Sequence, residues 1–551
     1  MEMAKSSSSQ PTRTREARGY KFDPAEQRGL LAGWQTSQVV LLVAGLLIAV
    51  GLFRLLPSAL GLFLALAAVS TSIIFVYWSV SGRKLSEWVV LGMKWMLNCL
   101  AGQNINTSKI PHRLGSFTTG GYQPKLKGTF ADQGLSSKLF STRVGQFSKR
   151  NCPPKPFEAF QLLEVPSLYE NRPIGVVYDG LNRRYSAVIG LASKSFMLFD
   201  TQEKTNFVEA WAGLLSSLAR QGTPITRVQW VERNIPDYNL HCDEPDQQPE
   251  SLNHNQKTPS YSRNIASDSY LELVAKVKPS LKRHEVLVVL STKAENKLHN
   301  TALIELLVRE VYFVERRLAE MGMICENRNS NSLILGPRAL AVAIRRAFDS
   351  ALDMDNPLFL GDSPFEEYRN NRQNRVKLAA EYPWPMGIEA HWGEIRVDST
   401  WHSTYWIAQW PRVDMPPDFL APFLLEGSMA KAISVVMQPL DVIKALRDVA
   451  QARTATVADE KLRHNSGFLP TFKRQKEQET LYRRESELTE GHGQYRFSGY
   501  VTVRSQSKSG LAHMCEQIEQ LGARSHLELR KMYGEQAKAF VFSLPLARGL
   551  S

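Results

Sequence analysis

Two uncharged apolar runs near the N-terminus constrain the fold of this chain more than any other feature. The first extends from Val39 to Phe53, and the second, after Arg54 and Pro57, extends from Ser58 to Val80 over 23 residues. At a rise of 1.5 Å per residue, a helix of the second length can cross a hydrocarbon layer of about 30 Å. Because a backbone in lipid must satisfy its own hydrogen bonds, the pair predicts a transmembrane helical hairpin.

Basic residues flank this hairpin on both sides, while Arg54 alone lies between the two runs. This bias predicts that both ends of the hairpin, and therefore both termini of the protein, are cytoplasmic. The following segment, Leu85 to Leu100, places Trp88 and Trp95 at helical spacing. It is expected to form an interfacial helix. A helix packed on the folded part of the chain is the alternative.

A basic linker separates the predicted hairpin from the rest of the chain. The full chain carries a net charge of +13, and residues 101–150 contain eight Lys or Arg against Asp132 alone. With few apolar residues and no period, residues 101–156 are expected to be a flexible linker. Its charges fit anionic lipid, nucleic acid or plain solvation. The basic residues predicted to contact the membrane or a partner are Lys125, Lys127, Arg143, Lys149 and Arg150.

The length of 551 residues predicts two or three folded units. The expected organisation is a basic cytoplasmic tail (1–35), the transmembrane hairpin with its interfacial helix (36–100), the linker (101–156), a first α+β subdomain (157–352) and a second (353–551). The fold class is thus a membrane-anchored α+β protein, with a two-helix transmembrane hairpin followed by two cytoplasmic α/β-mixed subdomains.

The first predicted subdomain alternates between strands and amphipathic helices. Ile174 to Tyr178 and Tyr185 to Leu191 are expected to form a β-hairpin around the turn DGLNR. Residues 236–263 are polar and rich in proline, and they are expected to form a loose loop.

The second predicted subdomain opens with five tryptophans within 27 residues, from Trp384 to Trp410. The favoured interpretation is that they pack beneath helices, and the alternative is a partner or base-stacking surface. Trp406 and Trp410, together with Arg54, Trp88 and Trp95, are the remaining predicted membrane or partner contacts. Residues 459–488 form a charged helical segment of both signs. The run Phe540 to Leu544 is expected to be the last strand.

The sequence offers no convincing catalytic, metal or cofactor site. The five cysteines are scattered without a C-x-x-C pair, which argues against a zinc site or a disulfide framework. His391, Glu394 and His402 superficially resemble a metal pattern. They fall on predicted strands and turns, where nothing aligns their side chains as one helix does in H-E-x-x-H. No catalytic residue, metal ligand or cofactor is therefore predicted.

Several longer segments resemble proteins of conjugation systems. WIAQWPRVDMPPDFLAPFL (406–424), VVMQPLDVIKALRDV (435–449), GYVTVRSQS (499–507) and MYGEQAKAFVFSLPLA (532–547) resemble the non-motor N-terminal part of type IV secretion ATPases. Phe22 to Leu97, with the pattern G-R-x-L-x-E-W at Gly82 to Trp88, resembles the two-span PrgI-type proteins of the same machinery. The organisation as a whole is similar to membrane proteins of actinobacterial conjugative elements.

The resemblance implies a location and a function. It implies a multi-pass protein of the bacterial inner membrane that serves as a non-enzymatic docking subunit of a type IV secretion-like DNA-transfer apparatus. A P-loop, G-x-x-x-x-G-K-[ST], does not occur in this sequence, so the ATP hydrolysis of the family does not carry over. In the ATPases a run similar to the last segment directly precedes the nucleotide-binding domain.

The implied partners are membrane lipid and a separate secretion ATPase or coupling protein. Self-association and nucleic-acid binding remain open. Two alternative functions also remain, a type VII secretion core component of the EccE kind and a membrane-tethered nucleic-acid-binding protein.

Overall fold

A computed structural model of the chain describes residues 36–55, 57–77, 79–80, 83–107, 153–167, 172–191, 199–236, 282–294, 300–323, 333–348, 377–378, 383–411, 415–425, 429–465 and 472–550. The helices are α1 (Thr36–Leu55), α2 (Ala59–Tyr77), α3 (Leu85–Leu100), α4 (Thr201–Leu218), α5 (Asn300–Glu320), α6 (Pro337–Arg345), α7 (Ala421–Leu425), α8 (Val442–Asn465), α9 (Phe472–Thr489), α10 (Lys508–Arg524) and α11 (Gln536–Phe542).

The strands are β1 (Ser79–Val80), β2 (Arg83–Lys84), β3 (Ile105–Thr107), β4 (Phe160–Pro166), β5 (Pro173–Asp179), β6 (Arg184–Leu191), β7 (Ile225–Pro236), β8 (Lys282–Lys293), β9 (Lys377–Leu378), β10 (Gly387–Ala390), β11 (Ile395–Val397), β12 (Thr400–Gln409), β13 (Lys431–Pro439), β14 (Tyr495–Ser505) and β15 (Glu528–Lys531).

One antiparallel sheet of 13 strands organises the described part of the chain. Its order is β3-β10-β11-β12-β14-β13-β7-β8-β6-β5-β4-β9, and β15 pairs with β12 beside this path. The predicted hairpin around DGLNR is confirmed, because β5 and β6 pair antiparallel with Tyr178 opposite Tyr185. Strands β7 and β13 pair across the middle, with Trp230 opposite Val435. This pairing joins the two predicted subdomains into one sheet.

Helices cover both faces of the sheet. On one face, α4 and α5 enclose a core with β4 to β8, and α7 and α10 enclose a second core with β12 to β14. On the other face, α6 and α11 share a third core that contains residues of both predicted subdomains, such as Val177 and Ile395. Side chains alternate between the faces along each strand, so that Val176 belongs to one core and Val177 to another.

The two halves of the sheet repeat one arrangement of elements. The first half runs β4, β5, β6, α4, β7, β8, α5 and α6. The second half runs β10, β11, β12, α7, β13, α8, α9, β14, α10, β15 and α11. In the first half the place of β15 is taken by Ile334, which bridges to Ile189 on β6 as β15 pairs with β12. Because equivalent strands β7 and β13 pair antiparallel, an approximate two-fold axis runs through the centre of the sheet.

The C-terminal segment Ser543–Leu550 crosses this centre. Gln229 on β7 is fully buried, and its amide donates to the Ser434 hydroxyl at 2.8 Å and to the Leu544 carbonyl at 2.8 Å. The side-chain amide oxygen of Gln229 accepts a hydrogen bond from the backbone N–H of Ala547 at 2.7 Å. The predicted strand Phe540 to Leu544 is wrong, because this stretch belongs to α11 and the turn after it. A short apolar run fits a buried helix as well as a strand, and periodicity alone does not separate them.

The prediction of a transmembrane hairpin is also wrong. Among the described residues, no helix is both long and apolar enough to cross a membrane. The uncharged run Ser58 to Val80 does not form one helix, because α2 ends at Tyr77 and Ser79–Val80 form a strand paired with Arg83–Lys84. At 19 residues, α2 extends for about 28 Å and is shorter than the hydrocarbon thickness of about 30 Å.

Other predictions depended on that hairpin and are corrected with it. The membrane-anchored fold class, the multi-pass location in the inner membrane with cytoplasmic termini, and the description as a membrane protein with transmembrane helices are not supported. The described part of the chain is an α+β fold with a large antiparallel sheet. Helices α1 and α2 contact each other closely, and Gly45 lies against the Ser72 side chain.

Candidate docking surface

Helices α8 and α9 form an arm that leaves the sheet between two paired strands. Strands β13 and β14 are neighbours, and the chain between them contributes 24 residues to α8 and 18 to α9. At 1.5 Å per residue, α8 is about 36 Å long. The backbone N–H of Leu440 donates to the Gln494 carbonyl at 2.9 Å and closes the base of the arm. The predicted charged helical segment 459–488 falls within this arm.

Among the described side chains of the arm, an apolar core is found at its base. Ala445 and Val449 on α8 pack with Leu488 on α9, and half-buried Leu446 completes this small cluster. The base is fixed to α4, since the Tyr495 hydroxyl donates to the Leu215 carbonyl at 2.5 Å. Burial raises the pKa of Tyr495 above its ordinary value of 10.0, so this donor keeps its proton at neutral pH.

Beyond the base, the two helices are held together by polar contacts. Arg453 donates to Glu485 at 2.8 Å, and its guanidinium lies 4.8 Å from the centre of the Tyr482 ring. Val457 and the Tyr482 ring are exposed there. The Glu485 carboxylate, by its hydrogen bond and its charge, raises the pKa of Arg453. The described part of the outer arm therefore carries charge of both signs, and none of its described side chains belongs to the cores on the sheet.

The predicted contact residues Trp88 and Trp95 pack against the sheet. The Trp88 ring lies 5.5 Å from Tyr533, and the Trp95 ring meets Trp392 edge to face at 5.2 Å. Strand β3, which follows α3, pairs with edge strand β10. Helix α3 is therefore packed on the folded part of the chain, which was the alternative to an interfacial helix. Its opposite face exposes apolar side chains, among them Val90 and Met93.

Trp406 and Trp410 are half-buried in the second half of the sheet. The Trp406 indole N–H donates to the Ser498 hydroxyl at 3.1 Å, and Trp410 meets Phe497 edge to face at 5.6 Å. Trp384 is buried against Phe160 in the shared core. These contacts agree with packing, the interpretation favoured for the tryptophan-rich stretch.

The other predicted contacts are not brought together with these tryptophans. Arg54 lies in the last turn of α1 and is exposed. Lys125, Lys127, Arg143, Lys149 and Arg150 lie outside the described residues, as do the tail 1–35 and most of the loop 236–263.

The residues of the metal-like pattern take separate structural roles. His391 stacks on Trp401 with ring centres 5.3 Å apart, and Glu394 forms an ion pair of 2.6 Å with Lys508. His402 is fully buried with its ring 4.7 Å from Phe540. Within the part of the chain that the structure describes, no three His, Cys, Asp or Glu side chains are grouped as metal ligands.

Sequence reasoning did not find the buried polar groups of the sheet. Arg233 and His402 line one small cavity although 169 positions separate them, and Asp179 pairs with Arg548. No local spacing in the sequence links such residues.

Comparisons with known proteins add no relatives, since no protein-family model matches the chain and no curated protein matches it.

Proposed function

We propose that this protein is a non-enzymatic docking subunit of a type IV secretion-like conjugation apparatus. It binds a separate secretion ATPase or coupling protein through the arm formed by α8 and α9. The observation that carries the proposal is the arm itself, a pair of helices that leaves the sheet between β13 and β14 and whose described side chains form an apolar core at the base.

The form of the arm supports a bridging role. A helix that is polar on all sides is typical of segments that connect one folded body to another. Ordering the outer arm costs conformational entropy, which burial in the cores of the sheet does not offset. Polar pairs such as Arg453–Glu485 hold the two helices together, and exposed side chains such as Val457 and Tyr482 lie where a second protein can contact them.

The choice of partner rests on the resemblance of the second half of the chain to the non-motor part of secretion ATPases. Related domains often keep surfaces that pack against each other, and this argument is one of analogy between folds. The resembling segments 406–424, 435–449, 499–507 and 532–547 lie in or beside β12 to β14 and α11, and the arm leaves the sheet between β13 and β14 of this group.

A binding measurement with a shortened arm tests this proposal. Residues 456–480 are replaced by a short Gly/Ser turn, which keeps the Arg453–Glu485 pair and the apolar base. The full chain and the shortened chain are each titrated with the purified secretion ATPase and coupling protein of the same conjugative element. We expect the full chain to bind one of them and the shortened chain to lose at least about tenfold in affinity, because about 1.4 kcal/mol of contact energy is removed.

A matched control separates arm contacts from general damage. Leu181 lies in the turn between β5 and β6, and its side chain is 73% exposed, so Leu181→Ala should leave binding unchanged. If the shortened chain binds as tightly as the full chain, the arm is not the docking surface. If the full chain binds neither protein, the docking function itself is wrong.

A further inference from the structure

A small, partly open cavity lies on the side of the sheet covered by α6 and α11. It has a volume of about 20 Å³. Its lining comes from β7, β12, β13, β14, the turn after α6, and α11 with its C-cap: Arg233, Asn234, Ala347, His402, Lys431, Ala432, Thr502, Arg504, Phe540 and Ser543. Among the described residues, this lining includes two guanidinium groups, the Lys431 ammonium group and two hydroxyls, but no carboxylate.

Arg233 lines this cavity, and one of its terminal nitrogens has no hydrogen-bond partner among the described residues. Its side chain is 3% exposed. The Nε–H group donates to the Glu285 carboxylate, and Nη2 donates to the Ala343 carbonyl at the end of α6. Its Nη1 atom is buried and has no hydrogen-bond partner among the described residues. A buried cationic donor without a partner is costly, so the site favours a group that accepts a hydrogen bond.

His402 presents a second unpartnered group to the same cavity. The side chain is fully buried, and within the described part of the chain neither Nδ1 nor Nε2 has a hydrogen-bond partner. Burial, with a smaller contribution from the nearby Arg504 charge, lowers the pKa of His402 to about 3. At neutral pH the ring is therefore uncharged and offers one N–H donor.

We propose that this cavity binds one small monovalent anion of the halide class, with chloride as the physiological ion. The anion accepts hydrogen bonds from Arg233 Nη1 and from one ring nitrogen of His402. The volume admits a single water-sized body, which leaves no room for sulfate, phosphate or a carboxylate with its carbon chain.

Charge favours an anion over a water molecule in this position. A water molecule could accept the two hydrogen bonds, but it would not offset the positive charge of the lining. The described lining contains the cationic side chains of Arg233, Lys431 and Arg504, and the Glu285 carboxylate bonded to Arg233 balances only one of these three charges. A halide does both, and in a low-dielectric interior its attraction to Arg233 is much stronger than in water. The Glu285 carboxylate is held on the Nε side of Arg233 and is not part of the cavity lining.

Thermal unfolding of the full chain tests the proposal. The melting temperature is measured as chloride replaces gluconate at constant ionic strength, and then with bromide or sulfate in place of chloride. Since a ligand that binds only the folded state stabilises it, we expect chloride and bromide to raise the melting temperature by about 2 °C or more. Gluconate, which does not fit, should give no such rise. Sulfate does not fit either, but it stabilises folded proteins generally because it is excluded from their surface, so any rise in sulfate should not depend on His402.

Two variants locate the effect. His402→Phe removes the ring donor but keeps an aromatic ring against Phe540, and we expect it to abolish the halide response. In halide-free buffer it should melt no lower than the wild type, because replacing an unpaired buried polar group by an apolar one of similar shape is nearly neutral. His391→Phe is the matched control on the Trp401 surface and should keep the full response.

A crystallographic measurement on the wild-type chain does not depend on how the variants fold. Crystals grown in bromide should show one anomalous peak between Arg233 and His402. The proposal is overturned if the melting temperature does not distinguish halide from gluconate, if His402→Phe responds as the wild type does, or if the cavity holds water alone in bromide.

Discussion

A buried ion pair helps to attach the C-terminal segment to the first half of the sheet. The Asp179 carboxylate accepts from Arg548 Nη2 at 2.6 Å and from Nε at 2.8 Å, and it also accepts the backbone N–H of Leu181 at 3.0 Å. The Arg548 guanidinium lies 4.2 Å from the centre of the Phe160 ring. Because Asp179 also closes the β5–β6 turn, one carboxylate connects a local turn to a residue 369 positions away.

This pair makes stability depend on acid pH. Burial alone would raise the pKa of Asp179, but the bonds and charge of Arg548, with help from Asn182, hold it below the ordinary value of 3.8. A carboxyl with a lower pKa in the folded chain stabilises the fold above the unfolded pKa, and this contribution is lost as pH falls through the folded pKa.

Replacing Asp179 should therefore cost stability at neutral pH but not in acid. We expect Asp179→Asn to lose about 3 kcal/mol of unfolding free energy at pH 7, because Arg548 is left buried without its partner. The difference in unfolding free energy between Asp179→Asn and the wild type should stay constant above about pH 5 and become smaller below it. Urea unfolding of both chains at pH steps from 7 to 3.5 measures this difference.

An exposed pair provides the comparison. Arg396 and Glu389 are 3.5 Å apart on β11 and β10, and both side chains are well exposed. Glu389→Gln should change stability by no more than about 0.5 kcal/mol at any of these pH values. A difference between Asp179→Asn and the wild type that does not narrow in acid would contradict the assignment of the pH dependence to Asp179.

Among the elements, α3 depends on one aromatic cluster for its position on the sheet. Trp392 contacts Trp88 at 6.1 Å and Trp95 at 5.2 Å between ring centres, and Gly534 approaches both Trp392 and Leu91. Gly534 has a φ of +70°, a conformation that favours glycine and that lets the backbone come close to the rings.

Removing the central ring should free α3 without unfolding the sheet. We expect Trp392→Ala to speed amide exchange across Leu85–Leu100 by about 100-fold. Losing a packed Trp costs about 3 kcal/mol, and this loss lowers the free energy needed to open α3 locally. Hydrogen-exchange mass spectrometry of the full chain measures this. Trp406→Ala, which removes an indole bonded to Ser498 instead, should leave the exchange of α3 unchanged. Unchanged protection of α3 in Trp392→Ala would show that another contact holds the helix.

Local pattern predicted some of these elements and misassigned others. The β5–β6 hairpin could be predicted because alternating apolar residues flank the turn DGLNR, and both signals act over a few residues. The run Phe540 to Leu544 was misassigned because α11 is short and its apolar residues Phe540 and Val541 are buried in the shared core. The tertiary environment of such a run decides between helix and strand.

Over the whole molecule, the sequence could not predict the repeat or the joining of its halves. Strands β7 and β13 pair although Trp230 and Val435 are 205 positions apart, and no short-range signal specifies that register. The candidate sites also depend on this joining of the two halves into one sheet. Arg233 and His402 meet at the cavity only because β7 and β12 belong to one sheet. The arm was partly predictable, because charged helical periodicity marks 459–488 without any knowledge of the sheet.

The central pairing predicts that the two halves unfold together. Ser434 lies in the middle of β13 opposite Val231 of β7, and its hydroxyl bonds both Gln229 and the Phe542 carbonyl. Ser434→Pro removes a backbone donor from a central strand and forces an unsuitable backbone geometry, so we expect a loss of about 3 kcal/mol or more. Because α6, α11 and the C-terminal segment pack on both halves, we expect both halves of the sheet to lose stability.

Hydrogen exchange of peptides from β6 and β12 in the full chain measures how the loss is shared. Strand β6 lies in the first half and β12 in the second, and in Ser434→Pro both should lose protection by a similar factor. Ile105→Pro is the matched control, because among the described strands β3 pairs with β10 alone, at one end of the sheet, and its proline should affect that end alone. Wild-type protection in β6 together with lost protection in β12 would show instead that each half unfolds independently and that the β7–β13 pairing contributes little to the stability of the first half.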